Sequence, residues 1–491
     1  MKLYLEPKAG SLLTGVNNLL AERGVKAYLV GGFVRDRLLE RETADIDIAV
    51  AADALEVAPV VAAALGGRYV PLDEINRIGR VVLAGEAGRW EFDFSSFEES
   101  IEQDLARRDF TIDALAIEFA QVTGDFQLID PCGGLADLRR GIVRTVAETP
   151  FAADAVRLLR AVRLAAELGF SIDGPTESQI RNYAHLLPAV AGERIREELL
   201  RLLAVPEAGR FLTYLDELDL LMTLIPEMAP TRGVTQPKEH FWNVLEHSIE
   251  TVKTTGFLLR QGSCQYAGDD VLTATPWSET LARHFELGVS RGSTRGSLLK
   301  LAALLHDVAK PQTKAAQPDG RVRFLGHATE GADIVVRILE RLRFSNREVG
   351  LVEAAVRHHL RPTQLSQEGL PSSRAIYRYF RDTGEAGIDI LYLSLADHLA
   401  TRGPRLDLAH WQEHARMVEY VISQRFQERN ITAPPKLVDG HDLIDIFHLI
   451  PGPRIGRLLE SVREAQASGE LTNREEALAR LRRQLVTEAR R

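Results

Sequence analysis

Residues 27–50, AYLVGGFVRDRLLERETADIDIAV, decide how this chain is read. The apolar run at 27–30 ends in Gly31-Gly32, helical spacing follows, and DIDIAV at 45–50 is a second apolar run that carries two acids. The pattern is strand, glycine turn, helix, strand. On a strand, positions i and i+2 share a face, so Asp45 and Asp47 project together while Ile46 and Ile48 anchor the other side. Two carboxylates held that close repel unless a cation bridges them. Mg²⁺ suits the pair, because it takes carboxylate oxygens and completes its shell with water and substrate phosphate. Gly31 and Gly32 bring backbone N–H groups and a helix start to the same place, which favours a phosphate. A bare Asp-x-Asp is usually a solvated strand face; beside this turn it points to a phosphate-and-metal site.

The neighbouring sequence extends the pattern. RVVLAG at 80–85 and WEFDF at 90–94 are two more expected strands, and the second puts Glu91 and Asp93 on one face, where either supplies a third carboxylate. Arg107, Arg108 and Asp109 stand directly before an apolar run, and adjacent arginines there can grip a triphosphate bidentately. From about 152 to 225 the spacing turns helical, and the helix expected near 152–168 sets Leu158, Leu159, Val162, Ala165 and Ala166 on one side. Arg157, Arg160 and Arg163 lie on the other side with Asp154 at the border, and Asp154 and Arg157 are neighbours at i, i+3. A carboxylate beside a guanidinium matches the amino donor and ring-nitrogen acceptor shared by cytosine and adenine, and opposes the pattern of uracil and guanine. An intrahelical salt bridge is the bland reading of the same pair.

Composition bounds the possibilities. The 491 residues amount to about three domains at roughly 150 residues each. With 45% hydrophobic and 26% charged residues, the chain belongs to the globular class rather than the disordered one. Its net charge of −9 argues against coating nucleic acid through a whole-surface field, although the cations are mostly arginine and cluster in stretches such as 157–163 and 474–491. The start MKLYLEPKAG lacks a secretory core, and no run approaches the roughly 18 apolar residues of a membrane helix, which together imply a cytoplasmic protein without a membrane partner. Cys132 and Cys264 are too few for a disulfide framework or a thiolate metal cage. Beyond the prolines and glycine at 226–237 lies a helical, histidine-bearing region to about 405; its stretch 254–297, rich in Gly, Ser and Thr, is expected to be a loop. After Pro434-Pro435 a last helical segment runs to a charged end.

The series Gly31-Gly32, Arg35-Asp36, Asp45-x-Asp47, Arg107-Arg108-Asp109-Phe-Thr-Ile, Asp130-Pro-Cys-Gly-Gly-x-x-Asp137, Asp154-x-x-Arg157 and Glu193-Arg194 resembles the class II tRNA nucleotidyltransferases and their relatives, the bacterial poly(A) polymerases. The resemblance covers roughly residues 10 to 210. It implies an α+β chain: a DNA polymerase beta-type nucleotidyltransferase head, then an all-α neck or body. It implies that Asp45 and Asp47 hold Mg²⁺ and are catalytic, that Gly31, Gly32, Arg35, Arg108 and Asp109 contact the incoming nucleotide, and that Asp154 and Arg157, on the helix carrying Arg160 and Arg163, form a protein template for its base. Family members add CCA, or part of it, to the 3′ end of tRNA from CTP and ATP without a nucleic-acid template. Two positions depart from the family pattern. Ala153 stands where an acid is usual, which bears on switching between C and A, and Asp113 stands where Asn is usual, which bears on sugar or phosphate contacts.

The middle region carries His240, His247, His306-Asp307, His327, His358-His359 and Asp397-His398. In LAALLHDVAKP the pair ends an apolar helix, where polar ligands are costly unless coordinated. The set resembles the HD phosphohydrolase domains, which some tRNA nucleotidyltransferases carry, and implies His247, His306, Asp307 and Asp397 as metal ligands. His327 with His358 or His359 could build a second metal site. Imidazole and carboxylate ligands suit Mn²⁺, Fe²⁺, Ni²⁺ or Mg²⁺ alike, and a bound water would attack a phosphoester. The tail from about 437 resembles the C-terminal segment of the same enzymes, which follows the RNA, so its arginines could hold phosphates.

The expected organisation is a head at 1–148, a helical neck or body binding RNA and nucleotide at 149–230, an all-α HD domain at 237–405 and a helical tRNA-binding tail at 406–491. The expected activity is Mg²⁺-dependent nucleotidyl transfer from CTP or ATP to RNA 3′ ends, foremost CCA addition to tRNA. The alternatives are a poly(A) polymerase, a partial C- or A-adding enzyme or, from another class, an HD phosphohydrolase whose head only binds RNA.

Overall fold

The computed structural model describes residues 7–85, 88–121, 126–147, 150–318, 321–365, 369–427 and 436–489. The expected break at Pro434-Pro435 and the expected end of the head at 148 lie outside them, as do residues 1–6. The chain divides into two compact units, residues 1–190 with 218–223, and residues 191–217 with 224–491. Among the described residues no helix is long and apolar enough to cross a membrane.

The first unit is built on one sheet of strands β1 (Ala27–Val30), β2 (Asp45–Val50), β3 (Arg68–Asp73), β4 (Ile78–Gly85), β5 (Gly88–Ser96), β6 (Ala116–Glu118) and β7 (Leu128–Ile129), in the order β3-β4-β5-β2-β1-β6-β7. β1 and β2 coincide with the two apolar runs that open the sequence reading, and β4 and β5 extend the runs expected at 80–85 and 90–94. The pair β2 and β5 is parallel; β1 runs antiparallel to both β2 and β6. Alternation fixes the register, since Ile46, Ile48, Phe92 and Phe94 are buried on one face and a one-residue slip would expose them all. The helix Ala54–Leu65 packs beside the sheet, capped by the Asp53 side chain and ended by Gly66 at φ 66°.

The motif at 130–137 is structural. Asp130 accepts the N–H groups of Gly134 and Leu135 at 2.7 and 3.0 Å and so caps the helix Gly134–Arg140. Asp137, buried, accepts from Thr111 Oγ1 at 2.8 Å and Arg144 Nε at 3.0 Å. These bonds hold the segment after Arg107-Arg108-Asp109 against the helix.

The second unit is mainly helical. The stretch 254–297, expected to be a loop, is largely ordered secondary structure: the end of helix Val244–Leu258, helices Asp269–Ala274 and Glu279–Glu286, a short hairpin at 288–294 and the start of helix Arg295–Leu305. Its small polar residues act as caps and buried hydroxyl donors rather than turns. Ser278 and Thr294 cap two helices, and Thr254 and Thr255 donate back to carbonyls along their own helix. Residues 436–489 bury a core of their own around Leu443, Leu458, Val462 and Leu481.

A methyl group at Gly134 would lie 2.0 Å from the Thr111 carbonyl oxygen. Gly134→Ala therefore destabilises the head by about 1–3 kcal/mol. Gly133→Asn, at φ 74° with nothing within 4 Å of the added atom, costs less. Urea unfolding followed by tryptophan fluorescence separates the two.

Candidate active site and metal centre

The head site is organised around Asp47. Parallel register sets Asp47 beside Asp93 and Asp45 beside Glu91, so four carboxylates share one face of two strands. Arg80 of β4 serves the outer two: its Nε and Nη2 donate to Asp93 at 2.6 and 2.7 Å, and it also pairs with Glu91. Of the two acids left open by the sequence, Asp93 is the one that stands against Asp47. Burial pushes the Asp47 carboxyl up to about 6; Asp93 adds to this, and Arg108 and the Phe33 N–H, donating at 3.4 Å, oppose it. Crowded acids in that condition are a donor set that suits a divalent cation.

The glycine turn closes over the same point. Gly31 has φ 65°, and a Cβ there would lie 2.7 Å from Arg108 Nη1 and 3.2 Å from Asp47 Oδ2. No other residue fits without displacing both groups. Arg108 is steadied by Asp104, to which its Nη2 donates at 3.1 Å. Arg35 is buried and donates to Asp36 at 2.8 Å and to Asp113 at 2.5 Å. The acid standing in place of the usual Asn is therefore engaged as a partner of Arg35.

The expected single helix from about 152 is two pieces, Pro150–Ala153 and Arg157–Leu168. Asp154 lies at the junction, where its Oδ1 accepts the Val156 N–H at 3.3 Å, a local bond that competes with helix continuation. Arg157 Nη1 donates to the Pro150 carbonyl at 3.3 Å, so both members of the pair expected to read the base are tied to this junction. The arginine side of the helix is not a plain solvated face. Arg160 pairs with Asp109 at 2.9 Å, and Arg163 is buried and paired with Glu167. Burial would raise the Asp109 carboxyl, but Arg160 and Arg157 outweigh it and hold it below the usual range. Arg35, Arg108, Asp109, Asp113 and Arg160 thus form charge networks around the acids, legible in the sequence only as separate motifs. Glu193 and Arg194 open the helix Gly192–Ala204 in the second unit.

In the second unit, helix ends converge on Asp307. His247 comes from helix Val244–Leu258, His306 and Asp307 follow helix Arg295–Leu305, His327 opens helix His327–Arg341, His359 caps helix Asn346–His358, and Asp397 lies in helix Gly387–Arg402. His306, His327 and His359 each place Nδ1 against the carbonyl three residues earlier, at 2.8, 2.7 and 2.7 Å. That bond makes Nδ1 the protonated nitrogen and turns the Nε2 lone pair inward, the arrangement of a metal-binding imidazole. His306 Nε2 lies 3.2 Å and His247 Nε2 3.5 Å from Asp307 Oδ2, while His327 Nε2 lies 3.4 Å from Oδ1. Asp397 meets His247 Nε2 at 3.1 Å, and His327 meets His359 at 3.2 Å between their Nε2 atoms.

Two triads therefore share one carboxylate: His247, His306 and Asp307, and Asp307, His327 and His359, all buried. Of the adjacent histidines it is His359 that enters; His358 lies outside both triads. Burial lowers His247, His327 and His359, and neutral imidazole is the form that ligates. Lys310, not singled out by the sequence reading, reaches Asp307 Oδ2 at 2.5 Å and Gln236 at 2.6 Å. Its spacing of three from Asp307 was the available signal.

A mixed sheet with an acidic pair, a glycine turn and buried arginines over it defines a nucleotidyltransferase head of the polymerase beta type, here followed by a helical body and an HD fold. Residues 27–144 match the "Poly A polymerase head domain", 169–231 the "Probable RNA and SrmB- binding site of polymerase A", 244–402 the "HD domain" and 333–481 the "tRNA nucleotidyltransferase domain 2 putative". The chain is 35% identical over 463 residues to the A-adding tRNA nucleotidyltransferase of Deinococcus radiodurans, covering 93% of this chain and 95% of that one. It is 34% identical over 460 residues to the CC-adding tRNA nucleotidyltransferase of Thermus thermophilus, covering 92% of both. The solved CCA-adding enzyme of Thermotoga maritima shares the fold, with a TM-score of 0.60 at 20% identity over 98% of this chain and 96% of that one. The chain belongs to the tRNA nucleotidyltransferase family.

The two centres respond separately to substitution. Asp47→Asn weakens Mn²⁺ binding at the head, read by paramagnetic broadening. His359→Ala lowers the metal content of the purified chain by elemental analysis, whereas His358→Ala leaves it unchanged.

Proposed function

We propose that the chain transfers CMP or AMP from CTP or ATP to the 3′ end of tRNA and builds part of the CCA sequence. The observation carrying this narrower reading is that an A-adding and a CC-adding enzyme both align with it along more than nine-tenths of its length. Asp45 and Asp47 are the Mg²⁺ ligands in this reading. An ion held there would supply Lewis acidity toward the RNA 3′-hydroxyl and charge neutralisation for the leaving pyrophosphate. The protein's own groups orient the reactants: Gly31 and Gly32 leave room for a phosphate against the turn, Arg108 and Arg35 offer cationic forks, and Asp154 with Arg157 reads the base edge. Arg160 pairs with Asp109 and so ties the helix bearing Arg157 to the Asp109 segment, while Arg163 and Glu167 pair within the helix. We assign these roles to the head at 1–148 and the neck or body at 149–230, with the tail at 406–491 on the RNA.

The HD fold at 237–405 supports a second activity in the same chain, hydrolysis of a phosphoester. His247, His306, Asp307 and Asp397 would hold one divalent ion, Mn²⁺, Fe²⁺, Ni²⁺ or Mg²⁺, and His327 and His359 with Asp307 would hold another. The chemistry such an ion would supply is acidification of a water for attack on the phosphoester. The converging Nε2 atoms favour this reading over a purely structural fold.

Extension of tRNAs ending at the discriminator base, in C and in CC, with single nucleotides and Mg²⁺, gives C or A incorporation and none with UTP or GTP. Asp45→Asn and Asp47→Asn lower it about a thousandfold, the equivalent of several kcal/mol of charge stabilisation, and EDTA abolishes it. His306→Ala leaves it intact. Asp154→Ala raises misincorporation of U and G relative to C and A. Phosphate release from RNA ends without any incorporation would transfer the main activity to the histidine centre.

A further inference from the structure

The helix Ser373–Thr383 carries Arg374, Arg378 and Arg381, spaced four and three residues apart and so on one side. Against them lie Glu460 and Glu464 of helix Pro453–Ala467 and Glu470 just beyond it. Arg378 grips Glu464 with both arms, Nε at 2.8 Å and Nη2 at 2.7 Å. Arg381 Nη1 donates to Glu460 at 2.8 Å and to Glu464 at 3.2 Å, and Arg374 pairs with Glu470. Glu470 also receives Arg480 at 3.0 Å, and Arg381 Nε donates to Asp382 at 2.7 Å.

The core of residues 436–489 is complete within itself: its buried members run from Val438 to Leu481, and the partly buried apolar side chains packed on it all fall between Leu437 and Leu485. None of these comes from the arginine helix, whose buried Tyr377 instead bonds Glu460. The arginines keep 36–50% of their side-chain surface exposed. Ion pairs so exposed are weak and screened by salt. An arginine fork that accepts a carboxylate accepts a phosphate with the same geometry.

We propose that Arg374, Arg378 and Arg381 form a phosphate-binding row for an RNA backbone, which Glu460, Glu464 and Glu470 occupy until RNA displaces them. The inference rests on the RNA substrate of the proposed function. It explains how a chain of net charge −9 keeps cationic surface for RNA: carboxylates of its own tail shield the row in the free protein. It also moves the phosphate contacts from the tail's own arginines, several of which are engaged, Arg474 with Asp442 and Arg454 with Glu488, to the helix the tail covers.

The test measures tRNA affinity of the full chain by fluorescence anisotropy over a range of KCl concentrations. The variant E460Q/E464Q/E470Q binds tRNA several-fold more tightly, because the competitor is removed. The variant R374Q/R378Q/R381Q binds at least tenfold more weakly, and its plot of log affinity against log salt is shallower by about 2–3 units. A purely structural contact gives the opposite sign for the first variant: lower thermal stability and no gain in affinity. Unchanged or weaker binding by the glutamine-for-glutamate variant, with nucleotide incorporation at saturating tRNA intact, overturns the row alone. Absence of tRNA binding by the wild-type chain overturns the row together with the function beneath it.

Discussion

Asp47 and Asp93 stand side by side on parallel strands with like charges turned the same way, and the head is arranged around that repulsion. Arg80 relieves one of the pair through a two-pronged contact, and Arg108, propped by Asp104, stands near the other. The glycine turn exists because any side chain at Gly31 would meet Arg108 and Asp47 at once. What is left is a carboxylate pair short of one cation beside backbone and guanidinium groups suited to phosphate. In the function proposed above, metal and triphosphate would relieve that crowding together.

The histidine centre solves the same problem with the opposite charge balance. One buried carboxylate, Asp307, is surrounded by imidazoles and Lys310. The imidazoles of His306, His327 and His359 are held from behind by carbonyls of their own chain, which fixes their ring orientation. Helix C-termini suit this purpose for His306 and His359, which reach back to a carbonyl of the last turn, whereas His327 reaches the Phe324 carbonyl of the strand before its helix.

Much of this was legible along the chain. Strand periodicity put Asp45 and Asp47 on one face, and β2 runs over the residues expected. The His306-Asp307 pair stood out because buried polar groups at the end of an apolar helix demand partners, and the rest of the set was named from its resemblance to HD domains. Other features were misread for identifiable reasons. The Gly, Ser and Thr of 254–297 carry the composition of a loop, but those hydroxyls are equally good helix caps and back-bonding donors, and composition does not distinguish the two uses. The helix taken from 152 is interrupted because the side chain of Asp154 bonds the backbone two residues on, a local competition that 3.6-residue periodicity does not register.

By itself the sequence determined the chemical inventory: two acids at strand spacing beside a glycine turn, a carboxylate and an arginine near a helix start, and a graded series of imidazole and carboxylate groups. These are local matters, set by periodicities of two and 3.6 and by the cost of burying polar groups. Only the tertiary structure decided which of equivalent residues belongs to a site. Asp93 rather than Glu91 faces Asp47 because a parallel register pairs them, and His359 rather than His358 joins the metal centre because one step along a helix turns a side chain by about 100°. Partners distant in sequence, Arg160 with Asp109 and Arg378 with Glu464, follow from how elements pack, and packing depends on the shape of the whole core rather than on any window of residues.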